Sequence, residues 1–185
     1  NYEASSQKDK SLKEKNLKKQ IDSIKKELLR YNVKPDYKEN LELSENIKNL
    51  NKQLDRIRIQ NIVKDKTKNI IKDKKIGTFI LRFQVLTDFP PKELRNIVDQ
   101  SKKEIKAGIV IGFSTFEGKV GVAVGVTNEL TKKYDAVLLV KIASEVLGGK
   151  GGGGRKDFAQ AGGNNKDKIE EAFKTVSKKI NWDFF

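Results

Sequence analysis

Neither cysteine nor histidine occurs anywhere in the 185 residues. Disulfides, thiol chemistry, zinc sites of the usual Cys/His kinds, and His-based acid–base or nucleophile-activating machinery are excluded with them. Carboxylates and lysines remain, but no D-x-D pair, no paired-carboxylate pattern and no G-x-S-x-G elbow stands out. Long apolar runs are missing too: nothing reaches the ~18 residues that a bilayer span needs, and the start carries no signal-peptide pattern. The expectation is a protein of the cytoplasm or an organelle with no membrane partner. Methionine is absent and the chain opens on Asn1, so a translation start is lacking and a piece of a larger protein is expected. Proline occurs only three times, and glycine not once before Gly77.

Charge is abundant. Lys and Arg number 39 against 25 Asp and Glu, a formal net charge of +14. Charged residues make up 35% of the chain and the hydrophobic set only 36%, so much of the length must face solvent. The length suits one packed domain with an extension. A basic excess of this size calls for a polyanion. Nucleic acid fits better than a membrane, because no amphipathic stretch sets bulky aromatics opposite the lysines. A compositional bias toward Lys and Asn would inflate the charge as well.

Residues 1–76 have the grammar of helices. Leu17, Ile21, Ile24 and Leu28 step by 4, 3 and 4, and Ile47, Leu50, Leu54 and Ile57 by 3, 4 and 3, the seam of a coiled coil. Between them "YNVKPD" reverses the chain at Pro35, which predicts an antiparallel helical hairpin. Asn46 and Asn61 near the seam either fix register or are exposed. The second helix is expected to continue through "NIVKDKTKNIIKDKK". Lys64, Lys68, Lys72 and Lys75 then stack on one face, either tracking a phosphate backbone or forming a solvated face offset by Asp65 and Asp73. Through Ile76 there are 21 Lys/Arg against 12 Asp/Glu, and beyond it 18 against 13, so the hairpin reads as the more basic part.

From Gly77 to Phe185 the pattern is that of a small α/β domain. "GTFILRFQVL" reads as a strand, and "DFPPKELRNIVDQSKKEIK" as a helix entered through Pro90 and Pro91. Ile109–Thr115 and Val120–Val126 form a β-hairpin about Glu117-Gly118. "DAVLLVKIASEVLGG" is an apolar helix closed by Gly148, and a terminal helix turns Ile169, Phe173, Val176 and Ile180 inward. The expected fold is thus α+β or α/β: a helical hairpin over 1–76, then a mixed sheet over 77–185 covered mainly on one face. Trp182, Phe184 and Phe185 are expected to dock on the last helix as core.

Between Gly148 and Gly163, "GGKGGGGRKDFAQAGG" holds eight of the fourteen glycines. Gly149, Gly151 and Gly154 satisfy G-x-G-x-x-G, but a helix precedes them where the dinucleotide fingerprint needs a strand. A Walker loop fails because Lys150 is followed by Gly. The alternating small residues of "DFAQAGG" suit a strand closely approached by a helix or a ligand backbone. Gly151, Gly152, Gly153 and Gly154 would let main-chain amides approach an anion, with Lys150, Arg155 and Lys156 supplying charge and Arg155 suited to bidentate contact, and Gln160 on the following strand is expected to join them in contacting nucleic acid. Alternatively, the glycines only relieve crowding against the domain.

These residues carry a resemblance. "GGKGGGGRKDFAQAGG", with "KELRNIVDQSKKEI" and the "FSTFEGKVGVAVGVT" hairpin upstream, resembles the C-terminal domain of alanyl-tRNA synthetase, whose signature runs close to GGKGGGRPDMAQAGG. This chain has one extra glycine, Lys156 in place of Pro and Phe158 in place of Met. The resemblance implies a helical hairpin followed by a DHH-associated globular domain, with no catalytic residue of its own. It implies binding to the elbow of tRNA(Ala), cooperation with the catalytic and editing domains of the same chain, and in some members dimerisation. ATP, Mg and Zn would belong to the rest of such an enzyme, and no cofactor or metal to this part. A related domain in DHH phosphoesterases binds nucleic acid with a His after the glycines, where this chain has Arg155. A third reading makes the helices an oligomerisation arm.

Overall fold

The computed structural model describes residues 2–182. Phe184, Phe185 and the side chain of Trp182 lie outside that description. The chain divides into two compact units, one ending at Asn61 and one beginning at Ile62.

The first unit contains helix α1 (Tyr2–Arg30) and most of helix α2 (Leu43–Lys64). Ile21, Leu28, Leu50 and Leu54 are buried together, with Ile24, Ile47 and Ile57 packed around them, so the heptad spacing does select the seam. Each such burial is worth ~1.5–3 kcal/mol. The reversal is not a tight turn at Pro35. Asn32, at φ 58°, ends α1, and an extended segment then lies along the start of α2. Gln53 accepts from the Asp36 amide at 2.9 Å and donates to the Lys34 carbonyl at 2.8 Å. Asn46, fully buried, accepts from the Lys38 amide and donates to the carbonyls of Lys38 and Leu41. Its role is to pin this segment, while Asn61 is exposed.

Helix α2 stops at Lys64, twelve residues short of the expected end at Ile76. The Asp65 carboxylate accepts from the Thr67 hydroxyl at 2.6 Å and the Thr67 amide at 2.9 Å, a local turn that competes with the helix. Those bonds hold the Asp65 carboxyl below its ordinary range. Asn69 Nδ2 then takes the Val63 carbonyl at 3.0 Å, satisfying one of the helix's last acceptors. The chain continues from this turn as strand β1 (Asn69–Ile76), paired residue for residue with β2 (Phe79–Thr87) across a turn that places Gly77 at φ 57°. Eight ladder positions outweigh the helical periodicity of lysines that touch nothing in the core. With the boundary at Ile62, the sheet unit holds 24 Lys/Arg against 15 Asp/Glu and the helical unit 15 against 10. The sheet unit, not the helical one, carries most of the excess charge.

The sheet has six strands in the order β1-β2-β3-β4-β6-β5. β3 (Gly108–Phe116) is parallel to β2, joined through α3 (Leu94–Ile105); all other neighbours are antiparallel. β3 and β4 (Lys119–Val126) turn at Glu117 (φ 50°) and Gly118 (φ 77°), the two left-handed residues a type I′ hairpin needs. Helix α4 (Ala136–Val146), capped by the Asp135 side chain, and helix α5 (Ile169–Trp182) cover one face over Leu81, Phe83, Ile109, Ile111, Phe113, Val122 and Val124. α3 and the Pro91–Glu93 turn that leads into it cover the other face. There Gly112 and Gly125 leave room for Val98: a Cβ at Gly125 would fall 2.5 Å from a Val98 methyl.

Arg82 is buried beneath α3 and bonds Asp73, Glu104 and Ser101. Ser101 donates to Gln84, which donates to Asn69, so a polar chain crosses the α3 face of β1 and β2. The Arg82 guanidinium pKa is raised, first by the bond to Asp73.

Candidate nucleic-acid interface

The glycine stretch folds as a hairpin at the sheet edge opposite β1. β5 (Gly152–Gly154) pairs antiparallel with β6 (Phe158–Gly163), Gly153 facing Gln160. Arg155 and Phe158 exchange both backbone hydrogen bonds around a turn of Lys156 and Asp157. Antiparallel pairs alternate between bonded and unbonded, so Gly153 bonds to Gln160 while the amides and carbonyls of Gly152 and Gly154 point to the open edge.

Three anchors make this hairpin rigid. The Lys156 carbonyl accepts from the Ala136 amide at the start of α4, and the Asp157 carbonyl accepts from the Val126 amide and from Lys102 Nζ. At the other end, Ser144 of α4 donates to the Gly162 carbonyl at 2.9 Å and accepts from the Gly151 amide at 3.3 Å. Ser144 and Lys102 are the positioning residues that sequence reasoning missed; nothing in their local pattern ties them to the glycines.

Crowding accounts for four of the eight glycines, Gly149, Gly152, Gly154 and Gly163, while Gly148 (φ 78°) and Gly151 (φ 95°) are left-handed. A Cβ at Gly149 would lie 1.9 Å from the Gly162 carbonyl oxygen, at Gly152 2.2 Å from that of Gln160, and at Gly154 2.4 Å from that of Phe158. Gly153 differs: it has no left-handed φ, and nothing lies within 4 Å of its missing Cβ. Its cross-strand partner Gln160 reaches the Pro91 carbonyl at 2.8 Å, so Gly153 opens on the same face as α3, where nothing covers β5.

Around this edge, Lys150, Arg155 and Lys156 are exposed. Arg155 contacts Asp157 at 3.5 Å with 70% of its side chain exposed, a loose surface pair that leaves most of the guanidinium fork to solvent. Gln160 is committed to Pro91. Arg95 leans over the Phe158 ring at 5.2 Å, adding a cation that the sequence did not single out.

The lysine stripe comes apart. Lys64 ends α2, and Lys68 lies in the turn before β1, at the far end of that strand from the glycine turn. Lys72 pairs with Phe83 and Lys75 with Ile80, three residues apart on a strand and hence on opposite faces. Only Lys75 lies at the end of the sheet where the Arg155–Phe158 turn sits.

With no His or Cys in the chain, zinc finds none of its usual nitrogen or sulfur ligands. Among the described residues no group of three Asp or Glu could hold a metal, and no helix is long and apolar enough to cross a membrane.

Residues 77–181 match the DHHA1 domain, and the chain belongs to that family. Alanine–tRNA ligase of Hyphomonas neptunium is 53% identical over 85 residues, 46% of this chain and 10% of that protein. Its counterpart in Granulibacter bethesdensis is 44% identical over 105 residues, 57% of this chain and 12% of that protein. The crystal structure of the C-Ala domain from Aquifex aeolicus alanyl-tRNA synthetase matches with a TM-score of 0.56 and 34% identity, over 60% of this chain and 98% of that one. Within the family, the chain is a C-terminal domain of the alanyl-tRNA synthetase kind. It spans about a tenth of the length of the curated relatives it matches.

Proposed function

We propose that the chain is a non-catalytic tRNA-binding module of an alanyl-tRNA synthetase. It holds the elbow of tRNA(Ala), so that the catalytic and editing domains of the same chain act on one bound tRNA. The observation that carries this reading is the β5 edge: outward amides at Gly152 and Gly154, an open face at Gly153, and Lys150, Arg155 and Lys156 around them. Such an edge offers donors to phosphate and acceptors to the ribose 2′-hydroxyl without reading a base, which suits a target recognised by shape. The net charge of +14 supports the same partner.

Filter-binding titration tests it. The chain binds tRNA tightly at low salt and an elbow-less hairpin RNA several-fold more weakly; equal affinity for the two would remove the elbow from the reading. A second reading, an oligomerisation arm, draws on Leu12 and Leu29, exposed on α1. Sedimentation that gives a stable dimer indifferent to added tRNA would favour the arm.

A further inference from the structure

The end of the sheet that carries the Arg155–Phe158 turn also carries the C-terminus of α3. There an open groove of about 780 Å³ is lined by Lys102, Lys103 and Lys106, with Asp99 and Glu129. It adjoins a second groove of about 420 Å³ that shares Lys106 and adds Lys75 and Asp73. Asp73 is gripped by Arg82, which leaves four lysines, Lys75, Lys102, Lys103 and Lys106, against Asp99 and Glu129 along the two grooves. At its other side the larger groove meets the glycine hairpin, since Lys102 Nζ bonds the Asp157 carbonyl at 3.2 Å. Lys75, Lys106, Lys103, Lys102, Lys156 and Arg155 therefore succeed one another along a single end of the six strands, a distance of ~24 Å at ordinary strand spacing.

Lys106 itself stands out. It occupies φ 65° and ψ −56°, with the Ala107 amide bonded to the Ile105 carbonyl at 2.8 Å, a γ-turn of the rare, strained kind. Glycine would sit there without strain, yet this chain has an exposed lysine, one that lines both grooves.

We propose that this band is a phosphate-backbone track, on which RNA entering at the glycine hairpin runs on across the end of α3 to Lys75. It rests on the tRNA-binding reading and extends the contact from one hairpin to the width of the sheet. The track recognises charge and spacing, not bases.

The test uses the full 185-residue chain and tRNA over a salt series. Lys106→Gly removes the ammonium and the backbone strain together, so thermal stability stays level or rises while the affinity falls about threefold to tenfold and the salt slope drops by about one. Adding Lys75→Ala and Lys103→Ala lowers the slope further, by about one each; should that triple variant fold poorly, Lys106→Gly alone decides. Unchanged affinity and slope in the Lys106→Gly chain, while Arg155→Ala still weakens binding, would overturn the track and leave the tRNA reading standing. Wild-type chain that binds no tRNA at any salt would overturn both. Poly-glutamate displacing tRNA as effectively as unlabelled tRNA does would mark an unspecific acid-binding face and likewise overturn the track.

Discussion

Arg82 grips Asp73, the residue directly opposite it on the neighbouring strand, through Nε at 2.9 Å and Nη2 at 3.0 Å. The same guanidinium reaches Glu104 and Ser101, so one buried cation ties an edge strand and a helix to the second strand of the sheet. Arg82→Ala is expected to destabilise the chain by about 2 kcal/mol, less than the ~3–5 kcal/mol of a fully buried pair because water reaches both carboxylates. Urea denaturation checks this: the midpoint falls with the slope unchanged, and a midpoint equal to wild type would make the contact energetically idle.

Gly153 and Gly154 separate binding from folding. Gly154→Ala puts a Cβ against the Phe158 carbonyl oxygen at a φ of 152°, and should cost at least ~2 kcal/mol. Gly153→Ala meets nothing and should change stability by no more than ~0.5 kcal/mol, yet weaken tRNA binding several-fold by holding the ribose–phosphate chain off the strand. Full binding by a folded Gly153→Ala chain would place the RNA elsewhere.

Arg155→Ala removes an exposed cation whose pair with Asp157 is worth ~0–1 kcal/mol, so the melting temperature should hardly move. Binding should weaken, and the slope of log K against log salt should fall by about one. A collapse of the circular dichroism spectrum would instead make Arg155 a structural residue of the hairpin.

Asp65 gives a pH dependence. Its carboxyl is held below its ordinary value of 3.8 by the Thr67 hydroxyl and amide. A lowered native pKa means that the charged form stabilises the turn. That contribution is complete above the ordinary value and is lost as pH falls through the lowered one. Carboxyl-carbon NMR should show Asp65 titrating below 3.8, and Thr67→Val should bring the midpoint back toward it. An Asp65 midpoint at or above 3.8 in the wild-type chain would contradict the turn as described.

Asn46→Ala strands two carbonyls and an amide in the helical unit, and should cost about 2 kcal/mol or more. Asn61→Ala, at an exposed position, should cost next to nothing, and similar losses at both would refute the pinning role.

Much of this was legible in the chain itself. Heptad spacing picked Ile21, Leu28, Leu50 and Leu54; Glu117-Gly118 marked its hairpin; Gly148 closed α4 at φ 78°. Strand β1 was not legible, because it lies at a sheet edge with nearly every side chain exposed and so shows no apolar alternation. Its register is written in β2, not in its own residues. That one misreading carried Lys64, Lys68, Lys72 and Lys75 onto a helix face that does not exist. Gln160 looked available for a ligand only because its bond to Pro91 spans 69 residues, beyond any local pattern. The γ-turn at Lys106 has no signature, since lysine is not the residue such a turn favours.

Strand β5 is built of three glycines and so presents peptide groups alone. A surface with no side chains can grip a sugar–phosphate chain through its amides and carbonyls but offers no shaped or charged side chain to fit a particular base. Where the proposed tRNA contact falls on this strand, the RNA could drift in sequence while the protein stays as it is, provided the curve of its backbone is kept. In that arrangement side-chain discrimination at this edge would come from the rim, where Lys150, Arg155, Lys156 and Arg95 stand exposed.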